Sequence, residues 1–344
     1  MTFRQRHLVG NSRSSDQARV LLQGKFDLAL VAPSWDHRCG VITRGEDLWF
    51  EDAIVLRFQT KDNQGHQARH EEDILCFLSA HARRVHVIEG DSVNVDVVWE
   101  QLWGRVRGAT LEGKRPRRAF IDLSTCPRYY GLGLLAGLFE CGFAADVCVF
   151  YAEGEYSLDE PPPPATDYPF SVGQWNTAPI PFLRGAVSPA RRKAFVVSVG
   201  FEGVKTARVL SKEDPDRVSV IYPIPGVRPE YEALVLGCNA AMVEDFSVRE
   251  VSTLKVHAAD AIGVWKALGT RTLDCAEEET YYLCCGTKPH ALGMALRALC
   301  LKFPTVLYNI PEKHTFVEVN PNGTFWRFDL RDVSAMPPYV RGAP

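Results

Sequence analysis

The feature that most limits what this chain can fold into is an alternation of short apolar runs and helix-period segments that starts, breaks and resumes. Five runs rich in β-branched and aromatic residues read as strands: "FDLALVA" (26–32), "AIVLRF" (53–58), "RVHVIEG" (84–90), "RAFIDLS" (118–124) and "ADVCVFY" (145–151). Between them the pattern predicts helices over 69–83, 95–106 and "YGLGLLAGLFECG" (130–142). Nearly continuous apolar strands alternating with helices predict a parallel sheet, because the crossover helices cover both of its faces.

The alternation stops at "LDEPPPPATDYPFSVGQWNTAPIPFLRGAVSPARR" (158–192), a proline-rich stretch without sustained period that reads as an extended linker. It then resumes with strands at 194–200, 218–224, 248–253, 281–285 and 305–310, and helices over 203–212, 229–243, 258–268 and 289–302. The closing "TFVEVNPNGTFWRFDL" places Asn-Gly between two alternating runs, a hairpin signal. At 344 residues the chain is too long for one ordinary compact domain and suits two. The expected organisation is a polar segment (1–25), a first Rossmann-like domain (26–157), a linker (158–192), a second Rossmann-like domain (193–312), and a C-terminal hairpin and tail (313–344).

The halves align as an internal repeat. A shift of 166 sets "LALVAPSWD" on "AFVVSVGFE", pairing Trp35 with Phe201 and Asp36 with Glu202, and sets Trp99 on Trp265. A shift of 160 sets "DLSTCPRYYGLGLLAGL" on "YLCCGTKPHALGMALRA", pairing Arg128 with Lys288 and Gly133 with Gly293. The reading is two copies of one five-stranded α/β unit.

Composition excludes more than it assigns. Hydrophobic residues make up 46% and charged residues 24%, an ordinary globular balance. A net charge of −3 gives no general attraction to nucleic acid or anionic membrane. The ten cysteines include no C-x-x-C pair and sit mostly in apolar runs, which predicts small buried hydrophobes in a reducing compartment. With a polar N-terminus and no apolar run near membrane-spanning length, the expected location is cytoplasmic.

In an open parallel sheet, ligands sit beyond the carboxyl ends of the strands, near the point where strand order reverses. In the first half that selects "APSWDHR" and "LSTCPR", and in the second "VGFEG" and "CCGTK". The turns after the fourth strands are the more informative. Gly286 would let backbone approach a ligand, and the next helix would offer unpaired N–H groups and a partial positive charge. Thr287 adds a hydroxyl and Lys288 a cation, with Ser124, Thr125 and Arg128 in the matching places. A cation at the positive end of a helix makes sense where an anion binds, and phosphate is the natural candidate.

Other motifs point elsewhere. His66 and His70 stand one helical turn apart as a possible metal pair, but His-Glu-x-x-His is missing and the segment reads as a solvated helix start. "KRPRR" (114–118) reads as a basic loop before a buried strand, so direct nucleic-acid binding is not expected. No G-x-G-x-x-G, Walker A or G-x-S-x-G occurs. No metal or cofactor is expected.

The turn "GTK" after an apolar strand resembles the signature of the CRISPR-associated Rossmann fold (CARF) family, and "DLSTCPR" resembles that family's looser variant at the same strand. The doubled glycine of many members is here Cys285-Gly286, and no fused effector is evident. The resemblance implies a sensor of cyclic oligoadenylates that binds its ligand across two copies, here within one chain. Ser34, Trp35, Asp36, His37 and Arg38 would line one rim, and Gly200, Phe201 and Glu202 the other. Trp35 and Phe201 would stack on bases.

Three functions follow as expectations. The first is a nucleotide-binding sensor or regulatory protein of antiphage or CRISPR-type defence, acting through a protein partner that carries the output. The second is a metal-independent phosphodiesterase, in which a ribose 2′-hydroxyl attacks its own phosphodiester while Lys288 and Arg128 stabilise the developing charge. The third is a non-catalytic assembly subunit that docks through the linker and the C-terminal hairpin.

Overall fold

The computed structural model describes residues 2–9, 15–58, 64–90, 94–111, 118–156, 167–168, 170–185, 192–246, 250–271 and 278–331. The chain forms two compact units, one from Met1–Ser157 with Phe316–Pro337 and one built on Leu158–Thr315. The first contains β1 (Thr2–Val9), α1 (Ser15–Leu21), β2 (Gln23–Val31), a 3-10 stretch (His37–Arg44), β3 (Asp47–Phe58), α2 (Gln64–His81), β4 (Ala82–Gly90), α3 (Val95–Leu111), β5 (Arg118–Asp122), α4 (Arg128–Glu140) and β6 (Asp146–Tyr156). The second contains β7 (Ser171–Pro179), β8 (Arg192–Ser198), α5 (Gly203–Glu213), β9 (Arg217–Pro223), α6 (Pro229–Asp245), β10 (Glu250–Val256), α7 (Ala261–Arg271), β11 (Glu278–Cys284), α8 (Lys288–Leu301) and β12 (Thr305–His314). The chain then returns to the first unit as β13 (Val319–Arg331).

Both units are α/β with mixed, mostly parallel sheets of Rossmann type. The first sheet runs β1-β13-β6-β5-β2-β3-β4 and the second β10-β9-β8-β11-β12-β7. Taken in chain order, the five parallel strands of each unit lie third-second-first-fourth-fifth, and an antiparallel strand is added beside the fifth. Strand order therefore reverses between β2 and β5 in one unit and between β8 and β11 in the other.

The central apolar runs become strands because they are covered on both faces, as the burial of β5, β6, β8, β9 and β11 shows. In the first unit, phenylalanines from five strands form a contact row across one face. Phe26 and Phe50 each meet Phe120, at 5.4 and 5.6 Å between ring centroids, and Phe150 meets Phe120 and Phe325 at 6.4 and 6.2 Å. In the second unit Val197, Val220 and Leu283 form a core against Leu210 of α5 and Val235 of α6. Five of the nine described cysteines are buried, while Cys76 and Cys141 are exposed.

Three expectations fail at the sheet margins. The closing segment is a single strand, β13, paired with β6 on one side and β1 on the other. Asn320–Gly323 makes an irregularity in that strand instead of a hairpin turn: pairing jumps from Pro321↔Gly154 to Phe325↔Ala152, and Gly323 takes φ +90°. The reason is burial. Phe325, Phe328 and Leu330 are at most 1% exposed, so this run needs a neighbour on each side, which a free hairpin would not supply. The proline-rich stretch is not only a linker, because it contributes β7, antiparallel to β12. The polar N-terminal segment contributes β1. Most of "KRPRR" lies outside the described residues.

Candidate functional site at the carboxyl ends of the strands

The two loops at the reversal point of the first unit are tied to one another. Thr125 Oγ1 donates to the Ala32 carbonyl at 2.7 Å, joining the turn after β5 to the loop after β2. Ser124 is fully buried: its N–H donates to Asp122 Oδ1, and its Oγ accepts from the Ala152 N–H, both at 2.9 Å. Arg128 is half-buried and opens α4, whose N-cap is Pro127 without a side-chain cap and whose first turn has no acidic residue.

The loop after β2 enters a 3-10 stretch rather than an α-helix, and its charges are spent locally. Asp36 is the N-cap; its Oδ1 accepts from the Arg38 backbone N–H and from Arg38 Nε, each at 3.0 Å, and its Oδ2 accepts from the other arm of the guanidinium. Asp36 is 7% exposed and Arg38 6%. Burial alone would lower the Arg38 pKa; the Asp36 charge overrides it and holds the guanidinium well above its ordinary value. Arg38 also lies 5.9 Å from the Tyr151 ring centroid. The Trp35 ring packs against Phe316 at 6.5 Å.

Two histidines flagged separately in the sequence meet beside this loop. His37 Nδ1 lies 3.1 Å from His70 Nε2, and His70 Nδ1 donates to the Ser34 carbonyl at 2.8 Å. Ser34 Oγ accepts from the Asp36 N–H at 3.3 Å. The expected companion of His70 was His66, whose side chain lies outside the described residues.

In the second unit the corresponding turn is closed tightly on β8. A Cβ at Gly286 would fall 2.2 Å from Ser198 Oγ and 2.6 Å from the Val199 carbonyl, so glycine is required by backbone approach. A Cβ at Gly200 would meet the Cys285 carbonyl at 3.0 Å, and the Gly200 carbonyl accepts from Asn239 Nδ2 at 2.8 Å. Thr287 is the N-cap of α8: its Oγ1 accepts from the His290 N–H at 3.3 Å and donates to the Ala258 carbonyl at 2.6 Å. Lys288 is half-buried and begins the helix.

Beneath that turn lies a pair that sequence reasoning missed. His290 Nε2 donates to the His257 carbonyl at 3.0 Å, which leaves Nδ1 to accept the Ser198 hydroxyl proton at 3.1 Å. Both side chains are 0% exposed, so the pair ties β8, α8 and the loop after β10 together and is out of a substrate's reach. Burial pushes the His290 pKa down to about 4.

The first loop of this unit is also satisfied from within. Glu202 Oε1 accepts from Ser171 Oγ at 2.6 Å and from Lys205 Nζ at 2.9 Å. The Phe201 ring packs among Tyr168, Phe170 and Tyr231 at 5.6–6.0 Å. Asp167, from the proline-rich stretch, accepts the Val204 and Lys205 N–H groups at 2.7 and 3.1 Å. A carboxylate thus sits at the α5 N-terminus, where a Rossmann-type fold otherwise receives phosphate. Burial pushes the Asp167 carboxyl up, against the opposing pull of those two amides. No local motif marks Asp167, since its partners lie more than 35 residues away.

Asp36, Arg38, Glu202 and Phe201 are engaged inside their own unit, and Arg128 and Lys288 are the first residues of the helices that leave the fourth parallel strands. Among the described residues no cluster of three or more His, Cys, Asp or Glu is placed to hold a metal, and no helix is long and apolar enough to cross a membrane. No family model matches the chain, and no curated protein does. Among solved structures, a UDP-GlcNAc 2-epimerase from Neisseria meningitidis bound to UDP-GlcNAc aligns over 76% of this chain and 77% of its own, at 11% identity. The TM-score is 0.21, a likeness that says nothing about what this chain binds.

Proposed function

We propose that the chain is a nucleotide-binding regulatory protein, with the turns that lead into α4 and α8 as its phosphate-binding positions. One observation carries this reading. Arg128 and Lys288 each occupy the first position of the helix leaving the fourth parallel strand, and neither first turn holds an acidic residue. Cations at the positive end of a helix repel its dipole, and an anion there would relieve both.

The resemblance of these turns to CARF signatures narrows the ligand to a cyclic oligonucleotide messenger of antiphage or CRISPR-type defence, with the output carried by a protein partner. Of the segments the assembly-subunit reading would dock through, β13 is paired on both sides, while β7 is an edge strand paired to β12. The test is calorimetry against cyclic and linear oligoadenylates and mononucleotides, with product chromatography on each mixture. Loss of a charge-assisted contact of about 1.5–3 kcal/mol predicts that Arg128→Ala or Lys288→Ala weakens binding tenfold or more. Intact ligand after incubation marks a sensor and cleaved ligand a phosphodiesterase. No binding of any member by the folded wild-type protein would sink the nucleotide reading.

A further inference from the structure

We infer that His37 and His70 form a binding site for a borderline divalent transition metal such as Zn2+, Co2+ or Ni2+. The inference rests on the geometry of the first unit alone and is independent of the nucleotide reading.

The tautomers follow from the hydrogen bonds. A carbonyl oxygen only accepts, so the contact of His70 Nδ1 with the Ser34 carbonyl places the His70 proton on Nδ1. His70 Nε2 then carries a lone pair aimed at His37 Nδ1, 3.1 Å away. In this state His37 supplies the proton between the rings. Moving that proton from Nδ1 to Nε2 of the same imidazole turns both facing nitrogens into lone-pair donors without changing the charge. Two imidazole nitrogens bound to one tetrahedral metal at about 2.0–2.1 Å lie about 3.3–3.4 Å apart. The gap here widens by a few tenths of an ångström, and each ring turns by about 35° so that both lone pairs converge on the metal at the tetrahedral angle.

The surroundings suit a metal as well. The His70 Nδ1–H bond to a backbone carbonyl is the outer contact that metal-bound histidines usually make, and it fixes ring orientation and raises the basicity of the other nitrogen. The rings meet edge to face at 78° with centroids 4.9 Å apart, so neither blocks the other's nitrogen. Both residues are half-buried, which leaves water a way to the remaining coordination positions. Two neighbouring side chains are engaged elsewhere: Asp36 is held by Arg38, and Cys39 is buried with its Sγ donating to the Ser34 carbonyl at 3.4 Å. Two imidazoles with the other positions open to water fit Zn2+, Co2+ or Ni2+ rather than the oxygen-seeking Mg2+ or Ca2+. Bound there, the metal would pin the loop after β2 to α2.

The test titrates the metal-stripped full-length protein with Zn2+ by calorimetry and with Co2+ by visible absorption, alongside His37→Ala, His70→Ala and the remote His81→Gln. The expected result is saturable binding of one equivalent per chain, weakened at least tenfold in His37→Ala and His70→Ala and unchanged in His81→Gln. Paramagnetic broadening of the His70 imidazole signals by Ni2+ in the wild-type protein gives a readout that does not depend on the variants folding. Equal binding by all four proteins, or no broadening at His70, would overturn the site.

Discussion

The first loops of the two units solve one problem in different ways. Each follows the central parallel strand and must satisfy the N–H groups at the start of the next helical segment. In the first unit the segment is a 3-10 stretch, capped by its own N-cap residue Asp36, whose charge is matched two residues on by Arg38. In the second it is a full helix, α5, whose N-cap Glu202 makes no side-chain cap; Asp167 reaches in from the proline-rich stretch instead. One device is local, buried and charge-paired. The other joins two distant segments and is half-buried. The same strand order thus leaves the means of closing a helix end open, and charge burial decides how much each carboxylate matters.

The largest expected effect breaks the local device. Asp36→Asn leaves a guanidinium that is 6% exposed without its counter-charge, which costs about 3–5 kcal/mol. Urea denaturation measures it. The double variant Asp36→Asn, Arg38→Met should recover much of that loss, because the cost lies in the uncompensated charge. A single variant within about 1 kcal/mol of wild type would show that Arg38 finds another partner or solvent, and the contrast between the loops would collapse.

The next effect distinguishes the turns after the fourth strands. The unit-two turn rests on neutral His290, while the aligned position in unit one is Tyr130, also buried. The folded-state pKa of His290 lies near 4, below the 6.5 of an exposed histidine. The unfolded chain therefore binds a proton between these values and the folded chain does not. The stability this group contributes is complete above about pH 6.5 and declines as pH falls toward 4, by on the order of 3 kcal/mol. Hydrogen exchange at pH 7 and pH 5 should show protection falling in α8 more than in α4. Equal loss in both helices would assign the acid sensitivity to other groups.

Legibility in the sequence followed burial. The central parallel strands were readable because both of their faces are covered and their residues are largely apolar, as in β5, β9 and β11, while the outer strands β4 and β10 were readable by their alternation with helices. The margins were not. β7, "SVGQWNTAP", is an edge strand held largely by backbone pairing to β12, and β13 hides its continuity behind an Asn-Gly signal absorbed as a bulge. At the candidate site, the starts of α4 and α8 were visible as small-residue turns followed by a cation. The demand for glycine at 286 arises from the approach of Ser198, 88 positions away, and the pairing of His37 with His70 spans 33. Contacts of that span leave no periodic trace. Asp36–Arg38 was within reach, since an Asp before a helical segment is a cap signal and Arg stands two residues later.

The smallest effect sharpens the comparison from the other side. Asp167→Ala removes two amide contacts at the start of α5 but strands no buried cation, because Lys205 retains Glu202 at 2.9 Å and the Ser171 carbonyl at 2.7 Å. The loss should be that of an ordinary cap, about 1–2 kcal/mol, and Asp167→Asn, which keeps one acceptor, should lose less. Differential exchange of the α5 amides measures it locally. A loss from Asp167→Ala as large as that from Asp36→Asn would mean that the proline-rich stretch depends on this contact for its own docking. The carboxylate would then be organising the segment that carries it, as well as closing the helix.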